Sequence, residues 1–251
     1  MKHFVFLSLI SLASIGLMGA TCSQQPDIEA EQQACPPPAR SIEVAPKGAP
    51  ISGQLSPGEV ILTFDDGPHT SRTPRILDVL AEACAPATFF LRGDAAARLP
   101  ARVREIATQG HTLGGHGWAH ANLTEMSSEA ALADIERGNR AIEAAFDNAP
   151  DATPISLFRF PFVATTPALS AEIAAAGLVE VGVDVDGQDW TGNSAEEIVD
   201  IVMRRLEDRG RRGIILLHDP FDNSVAATRL LLEKLALEDY EIVALTPAPA
   251  N

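Results

Sequence analysis

Two histidines four residues apart, His116 and His120, and two adjacent carboxylates, Asp65 and Asp66, are residues whose types and spacing could do chemistry. On one helical turn the i, i+4 spacing would put both imidazoles on one side. Two neutral imidazoles with one carboxylate make a three-ligand metal set that leaves positions open for water and substrate. At a strand end, successive side chains alternate, so one of the two aspartates could bind metal while the other stays free as a general base. The same Asp-Asp-Gly-Pro run is also good turn chemistry. Hydrolysis at such a centre needs an activated water, a stabilised oxyanion and a proton for the leaving group. A bound divalent ion can bring the pKa of water from 15.7 toward about 7.

The elements that must carry these residues follow from the apolar pattern. EVILTF (59–64), ATFFL (87–91), a short run near His111–Gly114, LFRF (157–160), LVEVGVDV (178–185), GIILLH (213–218) and EIVAL (241–245) read as strands. Helices are expected at 73–83, 100–109, 128–146 with Ser128 as N-cap, 167–176, 194–208 and 224–237. Seven strands alternating with six helices predict an α/β fold, a distorted (β/α) barrel of about seven parallel strands with outer helices. In such folds the site lies at the C-terminal strand ends. Five of them deliver polar groups: Asp65 and Asp66; His116 and His120; Arg159; Asp186, Asp189 and Trp190; His218 and Asp219.

The ends of the chain read differently. Lys2 followed by apolar Phe4–Met18 and small residues at 19–21 predicts a signal peptide over 1–21 and therefore export. Cys22 stands where a lipoprotein acceptor would stand, behind a poor version of the usual preceding pattern, so membrane attachment would run through that residue. Residues 22–57 are rich in Pro, Ser, Gln and Glu and read as a disordered tether. The domain proper spans 58–247. Three cysteines are too few for a disulfide framework, although export would permit a Cys35–Cys84 bridge. A net charge of −15 argues against nucleic acid or anionic lipid as partner, because both need Lys/Arg clusters.

TFDDGP (63–68), HGWAH (116–120), RFPF (159–162), DGQDW (186–190) and LLH (216–218) occur in the order found in the polysaccharide deacetylases. This is the NodB-homology family, carbohydrate esterase family 4. The resemblance covers residues 58–246. It implies Asp65 as general base, with Asp66, His116 and His120 as metal ligands. Arg159 would orient Asp65, and Asp186 would pair with His218, the general acid. Trp190 and Leu216 would shape a pocket for the acetyl methyl, and the N–H of Phe162 would help hold the oxyanion. The implied cofactor is a divalent metal; His₂Asp ligation suits Zn²⁺, and Co²⁺, Ni²⁺ or Mn²⁺ could occupy similar ligands.

The implied activity is removal of N-acetyl groups from a GlcNAc-containing polysaccharide, peptidoglycan or chitin-like. An O-deacetylase on acetylated xylan or exopolysaccharide would use the same site, with an easier leaving group. A non-catalytic sugar-binding module would be expected to have lost Asp65, a ligand or His218, and all are present. Departures from the family pattern are Gly117 after the first histidine, and Phe160 and Phe162 in the arginine segment. Phe160 is bulky enough to narrow a substrate groove.

Overall fold

A computed structural model describes residues 35–45, 50–146 and 154–248. The expected signal peptide, Cys22 and the start of the tether lie outside the described residues. The strands are β1 (Ser41–Val44), β2 (Glu59–Gly67), β3 (Thr88–Leu91), β4 (Thr112–Gly115), β5 (Leu157–Phe158), β6 (Val179–Glu180), β7 (Val185–Asp186), β8 (Gly213–His218), β9 (Glu241–Ile242) and β10 (Ala244–Pro247). The helices are α1 (Arg72–Glu82), α2 (Gly93–Arg98), α3 (Pro100–Thr108), α4 (Ser128–Glu143), α5 (Pro167–Ala175), α6 (Ala195–Asp208) and α7 (Asp222–Leu237).

Seven parallel strands in the order β6-β5-β4-β3-β2-β8-β7, with β9 also against β2, curl into a half-barrel surrounded by helices. The period of two along each strand sorts the core into two faces. Val60, Leu62, Phe64, Phe89, Leu91, Ile215 and Leu217 pack outward against the helices. Ile61, Phe90, Leu157 and Ile214 point into the curl. The inward series therefore continues through Thr63 to Asp65 and through Leu216 to His218, and β2–β8 pairing sets Asp65 level with His218. Alternation thus delivers these two groups to the mouth of the half-barrel.

Three expectations need correction. The run 178–185 is not one strand but two, β6 and β7, on opposite edges of the sheet. Gly182 interrupts it, and the intervening carbonyls of Val181 and Gly182 accept hydrogen bonds from Arg159 at 3.1 and 2.9 Å instead of entering a ladder. The described part of the tether, 35–45 and 50–57, is packed onto the domain. Strand β1 pairs in parallel with β10, and Ile42, Val44, Ile51 and Leu55 fill the inner core. Low overall apolar content concealed four apolar residues placed where the curl needs filling. The N-cap of α4 is Ser127, whose hydroxyl accepts from Ala130 N–H at 3.3 Å, not Ser128. Helix α2 was not foreseen; its short alanine run carries too few apolar residues to show a helical period.

Cys35 and Cys84 form a disulfide with Cα atoms 5.3 Å apart, tying the chain before β1 to the end of α1. Among the described residues, no helix is long and apolar enough to cross a membrane.

Candidate active site

Strand β2 ends in a register irregularity between Asp65 and Gly67, where Asp66 adopts a left-handed φ of 70°. That turn cancels the expected alternation, and both carboxylates reach toward the same imidazole. His116 Nε2 lies 3.7 Å from Asp65 Oδ2 and 3.8 Å from Asp66 Oδ1. His120 Nε2 lies 3.5 Å from the same Asp66 oxygen. The two histidines do not sit on a helix. Residues 117–119 form a turn, with Gly117 at φ 71° and His120 at φ 61°, and this turn brings the rings to a centroid distance of 5.1 Å.

One ligand atom from each of Asp66, His116 and His120 falls within 4.8 Å of the others. The donor chemistry fits a divalent cation. His116 Nδ1 lies 2.8 Å from the backbone oxygen of Arg159, so the proton belongs on Nδ1 and the Nε2 lone pair faces the centre. Asp66 Oδ1 is buried and has no hydrogen-bond partner, a costly arrangement unless a cation shares the space. Burial, with the charges of His116 and Arg92, holds the pKa of His120 below its ordinary value against the pull of Asp66 and Asp65. A neutral imidazole is the ligating form.

Asp65 is buried and takes a 2.7 Å hydrogen bond on Oδ1 from Arg159 Nη1. Arg159 is fully buried. Its guanidinium lies 4.2 Å over the ring of Phe90 and also donates to Thr63 Oγ1 at 2.7 Å. This residue therefore positions two groups at once: its side chain holds Asp65, and its carbonyl fixes the tautomer of His116.

The partner of His218 is Asp189, not Asp186. His218 Nδ1 lies 2.7 Å from Asp189 Oδ1, and the His218 N–H donates to Asp189 Oδ2 at 2.6 Å. Ser224, fully buried at the start of α7, also donates to Oδ2. Asp186 instead accepts from Gln188 N–H at 2.7 Å and closes the turn that leads Asp189 inward. Both carboxylates belong to DGQDW, so sequence named the segment and the structure selects the residue. Burial pushes the His218 pKa down. The hydrogen bond and charge of Asp189, with Asp65 and Asp66 behind them, outweigh that and raise it to about 8.

Leu216 is buried one step below His218 on the inward face. Trp190 and Phe162 stand at the rim, 57% and 64% exposed, and the Phe162 ring meets His120 edge-on at 4.4 Å. Phe162 and Val163 both have positive φ, 60° and 53°, an unfavourable conformation that turns the chain after Pro161 back toward His120. Phe160 does not narrow the groove. It is buried beside Phe158, Leu123 and Ile135, facing α4 and α5.

Sequence reading missed two supports on α4. Asp134 on α4 accepts the Trp118 N–H at 2.8 Å, and Gly138 lies against the Gly117 carbonyl; together they hold the ligand turn. Asp219, buried behind Gly67, is bonded by Thr73 Oγ1 at 2.7 Å. Burial and the charge of Asp66 push its pKa up to about 7 against that bond. His69 is half-buried, and its Nδ1 faces the N–H groups of Ser71 and Arg72 at the start of α1. His111 is packed against Phe89, and burial drives its pKa to about 4.

The chain matches the family model described as polysaccharide deacetylase over residues 52–181. It is 37% identical over 170 residues to a chitooligosaccharide deacetylase of Sinorhizobium fredii, covering 68% of this chain and 75% of the relative. It is 32% identical over 185 residues to the peptidoglycan-N-acetylmuramic acid deacetylase PdaC of Bacillus subtilis, covering 73% of this chain but only 37% of that relative. Among solved structures, a family 4 carbohydrate esterase from Streptomyces lividans in complex with acetate superposes with a TM-score of 0.66 at 34% identity. That match covers 74% of this chain and 91% of the esterase. The chain belongs to the polysaccharide deacetylase family, a family of hydrolases.

Proposed function

We propose that this chain removes the N-acetyl group from N-acetylglucosamine units of a cell-wall or chitin-like glycan, with Asp65 as general base and His218 as general acid. One observation carries the reading: three converging ligand atoms lie beside an aspartate held by Arg159, and a histidine held by Asp189 stands level with that aspartate on the neighbouring strand. A divalent cation held by Asp66, His116 and His120, with Zn²⁺ the best match to two imidazoles and a carboxylate, would acidify a water and polarise the acetyl carbonyl.

Asp65 accepts the proton of the attacking water on Oδ2, because Oδ1 is occupied by Arg159. His218 donates a proton to the departing sugar nitrogen from Nε2, since Nδ1 is engaged by Asp189. Each such proton transfer is typically worth ~10²–10⁴-fold. Leu216 and Trp190 bound the space for the acetyl methyl, and the Phe162 N–H is the backbone donor for the oxyanion. The expected role for Asp186 passes to Asp189.

The relatives named chitooligosaccharide and peptidoglycan deacetylases support an amide rather than an ester substrate. A His218 carrying a proton near neutral pH supports it too, because an amine needs that proton more than an alkoxide does. The Cys35–Cys84 disulfide supports an extracytoplasmic location, where such bonds persist.

Acetate release from chitooligosaccharides, peptidoglycan and acetylxylan, each with and without EDTA, tests this reading. Metal-dependent acetate from the N-acetylglucosamine polymers is expected. Acetate from xylan alone would make the chain an O-deacetylase.

A further inference from the structure

Arg92 follows the last residue of β3, and the functional roles above do not use it. Strand β3 pairs Leu91 with Gly115, so Arg92 stands level with His116, a metal-ligand candidate. Its backbone is still extended, φ −76° and ψ 133°. The alternation that sends Phe89 and Leu91 outward and Phe90 inward beneath Arg159 therefore sends Arg92 inward as well, at the mouth of the half-barrel. Its main chain is fixed there from both sides. Arg92 N–H donates to the oxygen of Gly67, next to Asp66, and Gly93 N–H donates to the oxygen of Gly117, next to His116, each at 2.9 Å.

The guanidinium is held in place and only partly used. Nε and Nη2 each donate to Asp94 at 3.1 Å, a forked pairing that fixes the plane of the group. Among the described residues, Nη1 has no partner. Asp94 is shared with Arg98, whose Nη1 lies 3.0 Å away, so two guanidiniums face one carboxylate and leave one net positive charge. The Arg92 side chain is 30% exposed. On a chain of net charge −15, whose average field repels acidic glycans, a pre-oriented cation beside the metal ligands calls for an anionic group on the substrate.

We propose that Arg92 is a specificity-determining residue that receives, on Nη1, a carboxylate borne by the glycan, such as the ether-linked carboxylate of a muramyl sugar. The proposal rests on the deacetylase reading above and narrows its substrate to glycans carrying free sugar carboxylates. In peptidoglycan that carboxylate is free only after an amidase-type hydrolysis has removed the stem peptide, so a reaction of that class would supply the preferred substrate.

The test compares kcat/KM for acetate release by the full chain on three substrates: chitotetraose, peptidoglycan glycan strands stripped of stem peptides, and the same strands with their carboxylates converted to methylamides. Wild type is expected to favour the free acid over the methylamide. Arg92→Gln is expected to lower the ratio of free-acid to chitotetraose kcat/KM about tenfold or more, mainly through KM, the scale of one hydrogen bond to a charged group. Arg92→Lys should recover part of that ratio, and methylamide strands should show no such change. An equal loss on all three substrates, or an unchanged ratio, would overturn the role of Arg92. Wild type inactive on every substrate, with metal bound, would instead overturn the deacetylase reading itself.

Discussion

Replacing Asp189 by Asn removes the charge that keeps His218 protonated while preserving the size of the side chain. Burial alone would take this imidazole below its ordinary pKa of 6.5, and the aspartates, Asp189 foremost, bring it to about 8. That shift corresponds to ~2 kcal/mol of preferential binding of the proton in the folded protein. Because the folded pKa is raised, the associated stability is complete below pH 6.5 and is lost as pH rises through about 8. At pH 7.5 roughly three quarters of a group with pKa 8 carries its proton, against about a tenth of one at 6.5, so a fall to 6.5 costs roughly eightfold in kcat through protonation alone. The assay is the pH profile of kcat for acetate release from a chitooligosaccharide. A bound cation lowers His218 in wild type and variant alike, so the difference between the two alkaline limbs is the readout. The variant limb should lie about a unit or more lower, with activity recovering toward pH 6. An alkaline limb that does not move would refute both the assignment of Asp189 and the role of His218 as the acid.

Other consequences follow from the supports around the site. A Cβ at Gly138 would sit 2.6 Å from the Gly117 oxygen and 3.2 Å from the Trp118 nitrogen. Gly138→Ala should therefore displace the ligand turn and weaken divalent-metal binding about 10–100-fold, measured by calorimetric titration, with the chain still folded by circular dichroism. Cys84→Ser opens a cross-link spanning 49 residues and should cost about 4 kcal/mol in urea unfolding, while acetate release at room temperature persists. Arg159→Gln leaves the carboxylate of Asp65 buried without its countercharge. It should lower unfolding free energy by about 3–5 kcal/mol in urea titrations and abolish turnover.

What the sequence made legible was the set of polar residues at strand ends, because alternation and β/α order both survive in the apolar pattern. TFDDGP and LLH sit on long inward-outward strands, and their Asp65 and His218 come out level with each other. The pairing of acid and histidine was not legible. Asp186 and Asp189 differ by three residues in one loop, and the left-handed Gln188, φ 57°, decides which turns inward. The run at 178–185 looked like one strand because its valines alternate with polar residues and glycine on both sides of the break. The tether looked disordered because its buried positions, Ile42, Val44, Ile51 and Leu55, are diluted among prolines and polar residues. The ligand spacing suggested a helix, while glycine at 117 and a left-handed His120 make a tighter turn that serves the same purpose.

The central claim is that two adjacent aspartates divide the work, Asp66 on the metal and Asp65 on the proton. Calorimetric Zn²⁺ titration of Asp65→Asn and Asp66→Asn, each paired with acetate release, tests it most directly. Asp65→Asn should keep one tight Zn²⁺ site and lose turnover, because Asn cannot accept the proton. Asp66→Asn should lose the tight site and turnover with it. Tight Zn²⁺ binding retained in Asp66→Asn, or undiminished turnover in Asp65→Asn, would contradict the account.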